Sequence, residues 1–385
     1  MSRLALAADV SDYREAARRR LPNMLFEYID GGSYREATLR KNVEDLAALA
    51  LRQRVMRDTS DLSMGVGTLG QTLSMPLGLG PVGLAGMYAR RGEVQAARAA
   101  AAAGIPFCLS TVGICSVEEV ARAAVLPWFQ LYVLKDRGYM RELLRRARAV
   151  GCPVLVLTVD LPIPGARYRD VRSGFRGLKG FPDLINRARD GLTHPRWLWD
   201  VWLRGRPHTL GSVAGAVRSD DSPADFLNWI AGNFDRSVTW RDLEWIRQEW
   251  DGPIVIKGVL DTQDAREAVQ CGAQGIVVSN HGGRQLDGVR SSVAVLPTIV
   301  DAVGADLEIY LDGGVRSGLD VLKALALGAR CCFIGRAWAY ALGAGGEGAV
   351  ARMLATLRAE LEVAMVLTGC RSVREAGREL LDGAC

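Results

Sequence analysis

Along this chain, short and almost unbroken apolar runs alternate with stretches whose apolar positions recur every three or four residues. The runs begin at Pro76 (PLGLGPVG), Pro106 (PFCLST), Trp128 (WFQLYV), Val154 (VLVLTVD), Pro253 (PIVIKGV), Gly275 (GIVVSN), Glu308 (EIYLDGG) and Cys331 (CCFIGR), eight in all. Apolar residues at successive rather than alternate positions are what strands buried on both faces require. Helix-period segments fall between most of them, among them Glu93 to Ala103, Ser116 to Ala124, Tyr139 to Val150, Asp261 to Cys271 and Ser317 to Leu327. Several stop at a glycine (Gly104, Gly151, Gly272, Gly328), the residue that best tolerates the left-handed end of a helix. Strand followed by helix, repeated eight times, predicts an α/β fold of the (β/α)8 TIM-barrel type, with a doubly wound sheet as the competing arrangement.

Two stretches fall outside the repeat. Residues 1–75 precede the first strand and read as two or three helices followed by short extended pieces. Residues 161–238 form an insertion after strand 4, far longer than an ordinary strand-to-helix connection, and Thr239 to Trp250 then supplies the missing helix. The expected division is one domain over 1–385, with the barrel at 76–340 and C-terminal helices over 341–385. The insertion lies at the C-terminal mouth, where barrels build active sites.

Composition changes little in this picture. The chain has 385 residues, 49% hydrophobic and 24% charged, with a net charge of +5 that offers no broad basic face for nucleic acid. Its eight cysteines form no C-x-x-C pair and it has only three histidines, so no metal site is expected and the thiols read as reduced and mostly buried. No run reaches the length of a membrane span, and Leu4 to Ala8 is too short and too closely followed by Asp9 for a signal peptide. From Arg176 to Arg206 the insertion carries seven basic residues against three acidic ones, with Trp197, Trp199 and Trp202. That mixture suits a membrane surface, with the indoles at headgroup depth; the competing reading is a lid or subunit contact that buries the rings.

Chemistry concentrates at the strand ends. SNHGGRQLDG (Ser279 to Gly288) closes the sixth strand and brings a proton acceptor, His281, beside a guanidinium, Arg284, that can clamp a carboxylate. DGGVRSG (Asp312 to Gly318) and IGRA (Ile334 to Ala337) close the seventh and eighth, where glycine amides with Arg316 and Arg336 suit a phosphate. Lys257 ends the fifth strand in an apolar setting that makes its charge costly unless used, as a Schiff-base nucleophile or beside a developing anion. Thr158 and Asp160 end the fourth strand, Gln130 and Tyr132 the third, Ser110 and Thr111 the second.

These residues together resemble the FMN-dependent 2-hydroxy acid oxidase and dehydrogenase family, over nearly the whole chain from SDYREAA to AMVLTG. YIDGGSY, NVEDL, PVGLAGMYARRGEVQAA, WFQLYVLKDRGYM, PGARYRD, THPRW, GRPHTLG and NFDRSVTWRDLEWIR look most similar to its bacterial respiratory L-lactate dehydrogenase branch. The resemblance implies FMN as cofactor and oxidation of L-lactate to pyruvate. It makes His281 the base, Asp160 its carboxylate partner and Tyr132 the group on the substrate hydroxyl. Arg167, Arg284 and Tyr28 would hold the substrate carboxylate. Lys257 would lie by the flavin N1/O2 edge, with Ser110, Gln130, Thr158 and Ser279 as further flavin contacts. Asp312, Gly313, Gly314, Arg316, Gly335 and Arg336 would hold the phosphate, and Pro81, Val82 and Gly83 would run behind the ring. Val112 stands where glycolate oxidase has tryptophan, which argues against that specificity.

The implied partners are a small 2-hydroxy acid, a quinone or cytochrome electron acceptor and a membrane surface met by 176–206, with a homo-tetramer and a peripheral place on the cytoplasmic side of the inner membrane. An oxidase using O2, a mandelate-type dehydrogenase, a Schiff-base lyase and a non-catalytic binding barrel are the alternatives.

Overall fold

The protein is described by a computed structural model that covers residues 6–123, 126–175, 190–208, 211 and 232–383. Ten strands are present: β1 (Val66–Thr68), β2 (Gln71–Leu73), β3 (Leu77–Leu79), β4 (Cys108–Ser110), β5 (Trp128–Tyr132), β6 (Leu155–Thr158), β7 (Ile254–Val259), β8 (Gly275–Val278), β9 (Glu308–Asp312) and β10 (Cys331–Ile334). β3 to β10 pair in the order β3-β10-β9-β8-β7-β6-β5-β4, parallel throughout. A parallel bridge from Leu79 to Phe107, with the Leu79 amide donating to the Pro106 carbonyl at 2.9 Å, closes the circle. The eight expected runs are thus the eight strands of a closed (β/α)8 barrel. Gly104, Gly151, Gly272 and Gly328 all have positive φ after their helices, as the stop signals require.

The barrel interior is layered. Low down, the rings of Trp128, Tyr310 and Phe333 pack with centroids 5.3–6.0 Å apart. The antiparallel β1–β2 hairpin closes this end: Thr68 Oγ1 meets Tyr310 OH at 2.6 Å, and Trp128 Nε1 donates to Gln71 Oε1 at 3.3 Å. At the other end the register sets Tyr132 beside Thr158 and Thr158 beside Lys257, so three neighbouring strands offer polar groups on one level. The same chain that fills the floor with aromatic rings therefore rims the mouth with hydrogen-bonding groups.

Helices Val10–Arg20, Asn23–Asp30 and Ala37–Ala48 make up the N-terminal extension. In the C-terminal region a first helix starts at Arg336, directly after β10 and ahead of the expected 341; after a non-helical break at Gly345 and Gly346 a second runs on to Thr368, and short 3-10 turns follow among the described residues. Starting at Arg336 places that residue at a helix N-terminus on the barrel mouth.

The insertion corrects a second expectation. Trp197 is buried and donates Nε1–H to the Met87 carbonyl at 2.8 Å, and Trp202 packs against Trp197 and stacks on His208 at 5.0 Å. Two of the three indoles proposed for a membrane surface therefore face the protein. Trp199 (62% exposed) and the nearby Leu203 and Leu192 face outward. The basic stretch over 176–189 lies outside the described residues. The thiols from Cys108 to Cys370 are unpaired, and burial raises the pKa of each one described.

Candidate active site

The strand tips surround an open cleft whose empty space, open solvent included, is about 1260 Å³. Lys257 projects into it from β7, Nζ lying 3.0 Å from Ser279 Oγ and 3.1 Å from Asp312 Oδ2. Burial opposes the ammonium, yet Asp312 and Asp160 outweigh it, so the Lys257 pKa stands above its ordinary value. A lysine paired with a carboxylate and held protonated is a poor nucleophile, which tells against the Schiff-base reading. Beside it, Gln130 Oε1 accepts from Ser110 Oγ at 3.0 Å and the Thr111 amide at 3.3 Å, while Gln130 Nε2 and Thr158 Oγ1 are buried with no protein partner. Buried polar groups are rarely left unmatched, so these atoms identify where a polar ligand edge belongs.

His281 stands on the far side of this level. Its Nδ1 lies 2.9 Å from Asp160 Oδ1. Burial would raise the Asp160 pKa, but His281 and Lys257 hold it below the usual carboxylate value, so it is ionised and only accepts. Nδ1 must then carry the hydrogen, leaving the Nε2 lone pair for a substrate proton. Burial also lowers the His281 pKa, against the opposing pull of Asp160, so the ring stays neutral and basic through neutral pH. The residue is held at φ +56°, and Gly282 and Gly283 follow at +64° and +71°. A Cβ on Gly283 would come 2.6 Å from the Leu39 amide nitrogen, so glycine is needed there for space as well as for φ.

The arginines are set by a helix end. Helix Asn23–Asp30 finishes in YIDGG, and its last carbonyls, which have no partner within the helix, take guanidinium hydrogens. Arg284 Nη1 donates to the Tyr28 and Gly31 carbonyls at 2.7 and 2.8 Å; Arg336 donates to Ile29, Gly31 and Gly282 at 3.0, 2.7 and 2.7 Å. The Arg284 guanidinium lies 4.8 Å from the Tyr28 ring centre and that of Arg167 5.9 Å, so Tyr28 sits between two cations that face the cleft. Arg167 also donates Nε–H to the Arg284 carbonyl at 3.3 Å.

Another part of the cleft lining holds Gly313 and Gly314, at φ +92° and +93°, with Arg316, Gly335 and Arg336. Among the described residues, the hydrogen-bond partners of Arg336 are carbonyls. Burial, together with Arg284 and Arg316, pulls its pKa down to about 9, which marks a cation short of negative charge. Cations outnumber carboxylates around the cleft, and an anionic cofactor plus an acid substrate would redress that imbalance. Orphaned edge donors at one end and unneutralised guanidinium groups at the other fit FMN: Gln130, Thr158 and Lys257 would hold its ring edge, and Arg316 and Arg336 its phosphate.

Of the residues singled out from sequence, Tyr28, Pro81, Val82, Gly83, Tyr132, Thr158, Arg167, Lys257, His281, Arg284, Asp312, Gly313, Gly314, Arg316, Gly335 and Arg336 line the cleft. Ser110, Gln130, Asp160 and Ser279 stand one layer back; Ser279 Oγ accepts from Lys257 and from the His281 amide. Sequence reasoning missed Tyr88, whose hydroxyl donates to the Gly83 carbonyl, and the apolar wall of Leu161, Pro164 and Phe234. Phe234 is brought in by an antiparallel bridge to Leu134 and packs edge-on against Tyr132 at 5.4 Å. Nothing in the sequence tags such walls, because apolar residues carry no chemical signature.

Fold and site together define a flavin-dependent barrel oxidoreductase. The chain matches the model of the FMN-dependent dehydrogenase family over residues 17–383. It is 59% identical over 373 residues to an L-lactate dehydrogenase of Xanthomonas campestris pv. campestris (strain B100), covering 96% of both chains. It is 57% identical over 372 residues to an L-lactate dehydrogenase of Pseudomonas putida (strain GB-1), covering 96% of this chain and 97% of that one. Among solved structures, the monotopic membrane protein (S)-mandelate dehydrogenase superposes with a TM-score of 0.91 at 34% identity, over 98% of this chain and 99% of that one. Mandelate oxidase does so with a TM-score of 0.82 at 36% identity, over 98% of both. The chain belongs to the FMN-dependent dehydrogenase family, and FMN is its cofactor.

Proposed function

We propose that this enzyme oxidises L-lactate to pyruvate. The observation that carries the reading is the tied His281–Asp160 pair, which shares one cleft with the Tyr28-flanked guanidinium groups of Arg167 and Arg284. FMN, when bound, supplies the two-electron acceptor. Arg284 and Arg167 hold the substrate carboxylate, Tyr132 bonds the α-hydroxyl, and His281 takes a proton at Nε2 while Asp160 steadies the resulting imidazolium at Nδ1. Val112, Leu161 and Phe234 leave a small apolar space for the methyl group. The identity to the two L-lactate dehydrogenases supports lactate over mandelate, although one apolar wall discriminates by only about 1–3 kcal/mol.

Anaerobic mixing of the yellow holoenzyme with L-lactate, D-lactate, glycolate and (S)-mandelate tests the proposal; L-lactate bleaches the flavin fastest. Dominance of mandelate or of a D-acid overturns it. The rate follows the neutral form of His281, whose pKa is lowered, so activity persists below pH 6.5 and falls only as the imidazole protonates. An acid limb at or above pH 6.5 contradicts that assignment.

Electrons pass on to a quinone or a cytochrome rather than to O2, and stoichiometric peroxide during turnover would reverse this. No helix among the described residues is long and apolar enough to cross a membrane. We infer peripheral association, which the likeness to a monotopic membrane (S)-mandelate dehydrogenase supports, on the cytoplasmic face, and a homo-tetrameric assembly. The outward Trp199 and Leu203 make the contact. Trp199→Ser with Leu203→Ser lowers co-sedimentation with anionic vesicles about tenfold, at unchanged flavin reduction; undiminished sedimentation removes the segment from this role.

A further inference from the structure

The N-terminal helix Ala37–Ala48 runs along the whole loop that carries His281, and it contacts that loop with one face. Thr38, Asn42 and Asp45 recur at helical spacing and bond to separate points of 280–292. The Thr38 amide donates to Asp287 Oδ1 at 2.8 Å, and its hydroxyl accepts from the Gly288 amide at 2.9 Å. Asp45 Oδ2 accepts from Ser291 Oγ at 2.5 Å. Between them, Asn42 and Asn280 exchange two amide hydrogen bonds, 2.8 Å from Asn42 Nδ2 to Asn280 Oδ1 and 2.7 Å in return. Both side chains are buried, at 1% and 4% exposure.

Asn280 is the residue before His281. Its Oδ1 also accepts from the Gly283 amide at 3.0 Å, so one amide spans the three left-handed residues 281–283. Positive φ at a non-glycine residue is strained and persists only where the surroundings over-determine it. Gly283 is free of that strain and His281 is not. The Asn280 amide can hold this turn only if it is itself fixed, and Asn42, from a different part of the chain, fixes both its ends, with a longer bond of 3.3 Å from Asn280 Nδ2 to the Arg290 carbonyl beside it. A buried amide pair with both hydrogen bonds made is rigid in orientation, because flipping either group sets donor against donor.

We propose that Asn42 is a positioning residue for the catalytic base: through Asn280 it holds His281 in its left-handed conformation, with Nδ1 on Asp160 and Nε2 toward the substrate. The inference rests on His281 being the base. The phosphate-loop glycine Gly314 packs on the Asn42 backbone, where an added Cβ would come 1.9 Å from its carbonyl, so comparisons are made at saturating FMN.

Asn42→Ala holoenzyme is the test, read by anaerobic flavin reduction with L-lactate. Its limiting rate falls about 10- to 100-fold, because sub-ångström misplacement of a base is costly, while the lactate concentration at half-maximal rate changes less than about threefold. The acid limb shifts upward toward the ordinary histidine value, as the ring leaves the buried site it shares with Asp160, Lys257 and Arg167. Asp45→Ala removes a bond from the same helix face at the far end of the loop, and leaves both rate and acid limb in place. If the alanine variant does not give folded holoenzyme, Asn42→Asp carries the same expectation, since it keeps the volume but turns the donor to Asn280 Oδ1 into a carboxylate oxygen that opposes it. A native rate and acid limb in the Asn42 variant, or an equal loss in Asp45→Ala, overturns the inference. Should His281→Gln itself reduce flavin normally, the assignment of the base fails instead, which separates the two.

Discussion

His281→Gln should purify yellow, with FMN bound as in the parent enzyme, and yet be bleached by L-lactate about 100- to 10,000-fold more slowly, the range a positioned general base contributes. Retention of flavin follows from geometry. His281 contacts Asp160 through Nδ1 and Ser279 through its amide, whereas the groups suited to the phosphate belong to Gly313, Gly314, Arg316 and Arg336. Glutamine can still donate to Asp160, so the ionised carboxylate is not stranded, but it offers no lone pair basic enough to accept a proton near neutral pH. Histidine is also among the residues that tolerate positive φ best, so part of any loss of stability belongs to the backbone at +56° rather than to the chemistry. Stopped-flow absorbance of the bound flavin under anaerobic conditions separates the two, because a merely destabilised enzyme loses amplitude and a chemically disabled one loses rate. Bleaching at the parent rate would remove His281 from its role.

Much of this arrangement can be read from the chain because barrel chemistry is local to strand ends. A parallel strand covered on both faces writes itself as consecutive apolar residues, and polar residues at its end fall near the mouth; Thr158, Lys257 and Asp312 announce themselves this way, and His281 follows three positions after Val278. Functions carried by backbone leave no such trace. The Tyr28, Ile29 and Gly31 carbonyls, which orient Arg284 and Arg336, read in sequence only as the end of a helix. The tryptophans of the insertion show the opposite limit: alternating indoles and arginines look the same whether the rings meet lipid or, as with Trp197 over Met87, the protein's own interior. Asn42 belongs to a third kind. A buried amide pair is specified by two residues 238 positions apart, and neither is remarkable by itself.

Arg336→Met should weaken FMN binding about 10- to 100-fold, the equivalent of one charge-assisted hydrogen bond to phosphate. Arg336 carries a charge in a buried place where its hydrogen-bond partners among the described residues are the carbonyls of Ile29, Gly31 and Gly282. Those dipoles solvate the guanidinium without neutralising it, and Arg284 and Arg316 raise the cost, which is why its pKa is drawn down to about 9. A phosphate dianion is the group that would reverse this, so the binding energy is available only when the ligand carries one. Methionine keeps the length and apolar body of the stem, and the missing charge relieves its cationic neighbours, so the fold is little disturbed compared with the loss of affinity. The measurement is a titration of apoprotein with FMN and, separately, with riboflavin, followed by quenching of flavin fluorescence. The variant should lose affinity for FMN and keep that for riboflavin, and Arg336→Lys should recover part of the difference as a point charge without the planar fork. Equal weakening toward both flavins would mean that Arg336 only braces the helix end of Asn23–Asp30, and unchanged binding of FMN would place the phosphate elsewhere.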